Sequence, residues 1–348
     1  MQMTQLQTYP QPAILSDGAS ILAMNEKAQT LFPGLKPGQP IPDSLFCLEE
    51  EPLWEGCACL EGRMYRLRCQ REEEEYLYTL QPEPQLALTE GQLDGALYQM
   101  RALMSDFYRE LSPCVAGVRP QLSEQEKDGV AKSFDRMLRL MDHLDFLRDA
   151  QSEELAMALQ DVELDRFCTL VAAECGGLLR EMGIRVEYTG LPEAVLVRAD
   201  EERLRDALIE LISNCARRLG TGGVISLRLT RRGNRAVLCV TDDGPGATSR
   251  EHLGMTVRGA MPLIPTPDSG AGLGLSVAEK TVWLHRGSLF FSTGDLAPRA
   301  YLSLPVTKGK GGLSLRSPRP ERNAGRSPYV IALSDVLPGS VVRGDWQE

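Results

Sequence analysis

Three short segments between Arg203 and Pro305 constrain this 348-residue chain more than any other feature. Residues 203–219 place apolar side chains at helical spacing, which predicts an amphipathic helix with one buried face. Residues 236–246 form an apolar run that ends in Asp-Asp-Gly-Pro-Gly, which predicts a buried strand and a sharp turn. Residues 268–287 contain three alternating glycines that open a second helix. Each segment is weak evidence alone, but their order is specific.

The polar residues of these segments are of kinds that bind nucleotides. Glu210 and Asn214 are four apart, so a carboxylate and an amide share one helix face. Asp242 ends the strand, where its carboxylate can accept a hydrogen bond from a ligand amine. The glycines of residues 270–274 expose backbone N–H groups at a helix start, where the helix dipole favours phosphate. A dinucleotide-binding loop would need a strand immediately before these glycines, and the sequence there predicts a loop.

In this order the segments resemble the ATP-binding domain of sensor histidine kinases, within the superfamily that includes gyrase, Hsp90 and MutL. Residues 210–217 resemble the N box of that family, residues 242–246 its first glycine box, and residues 270–275 its second. Residues 199–200 and 302–305 add matches on either side. The resemblance therefore extends over the whole stretch from residue 199 to residue 305.

The resemblance implies a role for each matching residue. Asn214 would bind Mg²⁺ through its amide oxygen, Glu210 would act as the catalytic base or polarise the nucleophile, and Asp242 would recognise the adenine amino group. The implied cofactors are therefore ATP and Mg²⁺. The other expected nucleotide contacts are Arg217 near the phosphates, Gly244 and Gly246 beneath the nucleotide, Gly270, Gly272, Leu273, Gly274 and Leu275 at the hinge of a lid over the phosphates, and Ser303 near the adenine.

The N-terminal part of the chain predicts a small α+β domain. Short apolar runs are separated by turns, and Asn25 is placed to cap a short helix. The stretch ILSDGASILAMNEKAQTLF resembles PAS sensory domains. A generic α+β module without a ligand is the alternative interpretation.

The next part predicts two amphipathic helices, separated by a break between Pro113 and Pro120, whose apolar stripes would be buried by dimerisation into a four-helix bundle. Histidine kinases keep their phosphoacceptor on such a hairpin, in a His-Glu-Leu-Arg-Thr-Pro-like segment. The nearest match here begins Tyr108-Arg109, so the usual histidine is absent and autophosphorylation lacks its nucleophile. His143, on the second helix, is expected to be a surface or interface residue.

The expected fold class is therefore multidomain, with four parts. They are a PAS-like α+β sensory domain at residues 1–84, a helical-hairpin dimerisation domain at residues 85–150, an α/β sandwich ATP-binding domain at residues 151–307, and a disordered basic tail at residues 308–348, within which residues 329–333 could add one short strand.

Composition narrows the classes of protein to which the chain can belong. The net charge of −10 argues against a general nucleic-acid binder. Nine scattered cysteines, an odd number, are typical of reduced thiols in a cytoplasmic protein. No apolar run reaches the length of about 18 residues that a membrane span needs, and no signal peptide is evident.

Two functions follow from the sequence. The first is a cytoplasmic, homodimeric, sensor histidine kinase-like protein that binds Mg-ATP for two-component signal transduction and addresses a response regulator, with the ATP-dependent phosphotransferase activity of a protein histidine kinase. The second is a non-catalytic ATP-binding regulator, a pseudokinase that acts through protein–protein contacts, which the missing histidine favours. An ATP hydrolase or a kinase acting in trans is a third interpretation, permitted by the Glu-x-x-x-Asn spacing.

Overall fold

A computed structural model describes residues 6–45, 51–82, 90–115, 121–150, 156–244, 273–292, 298–307 and 326–344. Within these residues, ten strands form one sheet and two form a separate pair. The strands are β1 (Ala13–Ser16), β2 (Ile21–Met24), β3 (Leu53–Leu60), β4 (Arg63–Glu72), β5 (Glu75–Pro82), β6 (Gln160–Glu163), β7 (Ile184–Thr189), β8 (Leu196–Ala199), β9 (Gly223–Arg232), β10 (Arg235–Asp242), β11 (Ser288–Ser292) and β12 (Arg299–Pro305).

Helices pack on this sheet and beside it. The sequence signals that start them are local, such as the Asn25 side chain, which accepts a hydrogen bond from the backbone N–H of Ala28 at 2.9 Å. The helices are α1 (Glu26–Leu31), α2 (Glu90–Val115), α3 (Glu124–Asp149), α4 (Leu164–Leu179), α5 (Glu201–Leu219), α6 (Leu273–Leu284), α7 (Pro328–Leu333) and α8 (Gly339–Gly344).

The large sheet joins the N-terminal part of the chain to the part that carries the nucleotide-binding motifs. Its strand order is β2-β1-β5-β4-β3-β11-β12-β10-β9-β7. Strand β3 pairs antiparallel with β11, so that Ala58 lies opposite Ser288 and Trp54 lies opposite Ser292. The two parts therefore share one continuous hydrogen-bonded sheet, which the sequence did not predict.

Close backbone approach and one buried ion pair hold this junction together. A Cβ added to Gly56 would lie 2.0 Å from the carbonyl oxygen of Leu289, so only glycine allows this strand spacing. Glu51, which is 1% exposed, accepts hydrogen bonds from Arg299 at 3.1 Å and from the hydroxyl of Tyr301 at 3.0 Å. The junction therefore combines backbone pairing with a buried charge–charge contact.

The C-terminal half of the sheet and helices α4 and α5 form an α/β core. Cys168 and Leu208 from these helices are buried against Leu227, Leu238 and Leu302 from strands β9, β10 and β12. Strand β7 joins β9 in parallel, whereas the other pairings of the large sheet are antiparallel. The buried leucines of α5 lie on the face that the sequence predicted.

Helices α2 and α3 pack against each other beside this core. A capping box begins α3, in which the Ser123 hydroxyl accepts from the backbone of Glu126 and the Glu126 carboxylate accepts from the backbone of Ser123. Apolar side chains of α2 remain exposed, including Leu97 at 49%, Met104 at 58% and Tyr108 at 68%. These are side chains that a second copy of the helices would cover, and the dimer itself stays a prediction.

The prediction of a disordered basic tail over residues 308–348 is wrong for residues 326–344. This segment forms helices α7 and α8, and residues 329–333 are helical rather than a strand. Val330, Ile331 and Val342 are buried, and the two helices contact α3 and α5. These apolar residues are stabilised by packing on α3 and α5. The basic composition of the neighbouring residues led to the prediction of disorder. Residues 308–325 lie outside the described residues.

Candidate active site

Helix α5 positions the predicted catalytic and metal-binding side chains. Its first turn is capped by Asp200, whose carboxylate accepts a hydrogen bond from the backbone of Arg203 at 3.3 Å. One face of α5 is buried, and the neighbouring face carries Glu210 and Asn214. The start of α6 and the end of β10 bring further predicted residues to this helix.

Glu210 is buried and held by two side chains of α3. Its carboxylate accepts from Arg139 at 2.6 and 3.1 Å, and Nε2 of His143 lies 3.0 Å from Oε1. Burial alone would raise the pKa of Glu210, but the charge of Arg139 and the contacts from Arg139 and His143 outweigh it and hold that pKa well below its usual range. Glu210 is therefore a carboxylate anion. The sequence had not predicted either partner.

The first turn of α6 lies directly against this carboxylate. A Cβ added to Gly274 would lie 2.0 Å from Oε2 of Glu210, so this position requires glycine. The two predicted residues next to Gly274 in the chain lie in different surroundings. Leu275 lines a cavity together with Asn214, whereas Leu273 is 1% exposed and packs in an apolar cluster with Leu140 and Phe146 of α3.

Asn214 and Arg217 lie one turn further along α5. Arg217 donates to the amide oxygen of Asn214 at 3.3 Å and to Asp335 at 2.9 Å. Asp335 also pairs with Arg136 at 2.9 Å and with Arg139 at 2.8 Å, so three guanidinium groups converge on one carboxylate. Burial alone would raise the pKa of Asp335, but the positive charges of these arginines have the larger effect and lower that pKa. Asp335 lies in the segment that composition had assigned to a tail, so no local signal identified it.

The predicted adenine-binding residue, Asp242, is 4% exposed at the end of β10. Its carboxylate pairs with Arg218 and accepts a hydrogen bond from the backbone N–H of Gly244 at 3.1 Å. A Cβ added to Gly244 would lie 2.9 Å from that carboxylate, which explains the glycine. Arg218 also lines the cavity beside Asn214, which has an empty volume of about 450 Å³. Arg218 was missed because the family resemblance ended at Arg217.

Ser303 does not lie beside Asp242. Strand β12 pairs with β10 so that Ser303 is opposite Val237, whereas Arg299 is opposite Thr241 next to Asp242. The Ser303 hydroxyl accepts a hydrogen bond from Arg235 at 2.7 Å instead. The prediction of an adenine contact for Ser303 is therefore wrong, because the strand register places it toward the other end of β10.

The predicted site residues that the structure describes thus fall into adjoining groups. Glu210 and Gly274 are in contact, Asn214 contacts Arg217, and Gly244 contacts Asp242. Gly246, Gly270 and Gly272 lie outside the described residues.

The residues present fit the implied Mg²⁺ and nucleotide. An amide oxygen such as that of Asn214 is a hard ligand, of the type that Mg²⁺ takes alongside substrate phosphates. Gly274 lets the backbone at the start of α6 come close to its neighbours, and Arg217 supplies positive charge next to Asn214. Among the described residues, no group of three or more His, Cys, Asp or Glu side chains is placed to hold a metal ion.

Comparison with known proteins finds relatives for the segment that contains these residues. Residues 199–312 match the family described as histidine kinase-, DNA gyrase B-, and HSP90-like ATPase. The chain is 26% identical over 221 residues to the sensor protein kinase PmrB of Pseudomonas aeruginosa, which covers 60% of this chain and 46% of that protein. It is 27% identical over 248 residues to the adaptive-response sensory kinase SasA of Prochlorococcus marinus, with 67% and 66% covered. The chain thus spans between about half and two thirds of the length of these relatives.

Solved structures of histidine kinases also match at low identity. The histidine kinase AdeS of Acinetobacter baumannii is 17% identical, with 61% of this chain and 98% of that one covered and a TM-score of 0.49. The histidine kinase ThkA, solved in complex with the response regulator protein TrrA, is 16% identical, with 88% and 99% covered and a TM-score of 0.48. None of the helices in the described ranges combines the length and apolar character of a membrane span. Residues 199–312 thus match an ATPase family that includes histidine kinases, and the chain is similar to sensor kinases over 60–67% of its length.

Proposed function

We propose that this chain is a cytoplasmic Mg-ATP-binding signalling protein of the sensor histidine kinase type, acting in two-component signal transduction. The observation that carries the proposal is the contact of Gly274 with Glu210, with Asn214 one helical turn away lining a cavity with Leu275, within a domain of an ATPase family. A glycine-bounded helix start can hold phosphates, an amide oxygen can hold the Mg²⁺ that neutralises their charge, and a carboxylate beside them can orient a nucleophile.

In this proposal ATP replaces contacts that the chain makes with itself. The adenine amino group takes the place of the Arg218 guanidinium on Asp242. The phosphates and Mg²⁺ occupy the region between Asn214 and the start of α6, where Arg217 exchanges Asp335 for a phosphate oxygen. After the exchange at Arg217, Asp335 stays paired with Arg136 and Arg139, which is what a buried carboxylate demands.

A homodimer and a response regulator are the proposed partners. The exposed apolar side chains of α2, among them Leu97 and Met104, are suited to an interface between copies. The relatives PmrB and SasA are named as sensor kinases, and such kinases transfer their phosphoryl group to a response regulator.

Calorimetric titration of the full chain with Mg-ATP tests the nucleotide half of the proposal. Asn214→Ala should weaken Mg-ATP binding tenfold or more, since ligand contacts of this kind are worth about 1.5–3 kcal/mol. Asn234→Ala is the matched control, because Asn234 is exposed in the turn between β9 and β10. No binding heat with the wild-type chain, or equal Kd values for both variants, would contradict the proposal.

A second candidate, the non-catalytic regulator, is favoured by the Asp335 contacts. If a phosphate displaces Asp335 from Arg217, it also loosens residues 326–344 from α3, which changes the surface that a partner meets. Capture of a partner that requires ATP and is unaffected by Glu210→Gln would favour this candidate over the kinase.

A further inference from the structure

The kinase proposal needs a nucleophile, and the hairpin segment that should supply it has Tyr108 and Arg109 instead of histidine. We propose that His143 on α3 accepts the γ-phosphoryl group of ATP within the same chain, an inference that rests on the proposed function. His143 lies on the second helix of the pair and follows no phosphoacceptor motif, so the sequence pattern predicted only a surface or interface role for it.

Position is the first argument. Nε2 of His143 is 3.0 Å from Oε1 of Glu210, and the side chain is 13% exposed. Glu210 in turn lies one helical turn from Asn214, the predicted Mg²⁺ ligand, and directly against Gly274. Glu210 thus lies between the imidazole and the predicted Mg²⁺ ligand, and one residue separates His143 from the predicted phosphate site.

The second argument compares His143 with His285, the other histidine that the structure describes. Both ring nitrogens of His285 are occupied, with Nδ1 2.6 Å from the carbonyl oxygen of Thr281 and Nε2 2.8 Å from the backbone N–H of Asp200. His285 is therefore a structural residue. His143 uses only Nε2 among the described contacts, and it lines a cleft with an empty volume of about 600 Å³ between α3, α5, α6 and α7.

The third argument is the tautomer. Glu210 is anionic, so Nε2 of His143 donates its hydrogen to Oε1 and the lone pair lies on Nδ1. Arg139 fixes the orientation of Glu210 with two hydrogen bonds. A nucleophile that bonds to a carboxylate, which is itself oriented by a third group, is the arrangement of an activated side chain. Glu210 and Arg139 act here as positioning residues.

The step balances as follows. The Nδ1 lone pair of His143 attacks the γ-phosphorus, an N–P bond forms, and the bond from that phosphorus to the β,γ-bridging oxygen breaks. The bridging oxygen keeps the electron pair and leaves as part of ADP. The imidazolium product loses its Nε2 proton to water, so that ATP and histidine yield ADP, phosphohistidine and one proton.

The test is labelling of the full chain with γ-³²P-ATP and Mg²⁺, followed by peptide mapping under alkaline conditions. The label should be acid-labile and stable in base. Cleavage after arginine releases residues 140–148, a peptide whose one histidine is His143, and the label should lie on it. His143→Asn should abolish labelling without changing the calorimetric Kd for Mg-ATP, whereas His252→Asn should keep the label. Glu210→Gln should slow labelling about tenfold or more with the Kd preserved.

Each other outcome has one meaning. Label on another peptide, or label that persists in His143→Asn, overturns the assignment of His143. Mg-ATP binding without any label in the wild-type chain overturns the inference and leaves the ATP-binding proposal standing. Absence of Mg-ATP binding overturns the proposed function and the inference together. Direct mapping on the wild-type chain keeps the test decisive even if a variant fails to fold.

Discussion

Replacing Asp335 tests whether its contact with Arg217 is displaced by ATP or only stabilises the fold. Its carboxylate, with a side chain 16% exposed, pairs with Arg136, Arg139 and Arg217 at 2.8–2.9 Å. Asp335→Asn keeps the shape but removes the charge that holds three guanidinium groups. Loss of one partner of a fully buried pair costs about 3–5 kcal/mol. Partial exposure and the remaining amide oxygen reduce the expected loss of unfolding free energy to about 2–3 kcal/mol.

The same substitution should act in the opposite direction on nucleotide binding. If Asp335 and a phosphate compete for Arg217, removing the carboxylate should tighten Mg-ATP binding about fivefold or more, as for a coupling of 1 kcal/mol or above. Urea unfolding and calorimetry measure the two effects. Asp145→Asn is the control, because Asp145 is 50% exposed in an i,i+3 pair with Arg148 on the same helix, and it should change stability by less than about 0.5 kcal/mol. Weaker or unchanged Mg-ATP binding in Asp335→Asn would refute the competition.

Three further outcomes follow from the structure. Gly274→Ala should destabilise the fold by about 1–3 kcal/mol because its Cβ meets the Glu210 carboxylate, whereas Gly177→Ala, with open space at the added Cβ in α4, should stabilise it by up to about 1 kcal/mol in urea unfolding. Ser303→Ala should lower Tm, because Arg235 loses a hydrogen-bond acceptor, and it should leave the Kd for Mg-ATP unchanged. Weaker Mg-ATP binding in this variant would support an adenine contact for Ser303 after all. The pKa values of Asp335 and Glu210 are lowered in the folded state, so their ionisation stabilises the fold fully above about pH 5. This stabilisation is lost as the pH falls through the lowered pKa values. The wild-type chain should therefore lose more unfolding free energy between about pH 5 and pH 2 than Asp335→Asn does.

Features that depend on neighbouring residues could be predicted from the sequence. The buried face of α5 follows from the spacing of Leu204, Leu208 and Leu211, and the start of α1 follows from the capping side chain of Asn25. In each case the chain geometry of one helix or turn fixes the relation, so the pattern carries the information.

Contacts between distant segments could not be predicted in this way. His143 and Glu210 are 67 residues apart, and Arg217 and Asp335 are 118 apart. No periodicity links such pairs, since they depend on how α3 and the C-terminal helices pack on α5. The error at Ser303 has a similar origin, because the register between β10 and β12 decides which end of the strand meets Asp242.

The shared sheet gives the N-terminal part of the chain a physical connection to the proposed nucleotide site through strands β3, β11 and β12. Glu51, just before β3, holds Arg299, and Arg299 lines the same cavity as Asn214 and Leu275. A ligand that bound the N-terminal domain could alter nucleotide affinity through this contact only by favouring one position of Arg299 over another. Coupling of that kind is reciprocal, so Mg-ATP would have to change the affinity of the N-terminal domain for its ligand by the same factor.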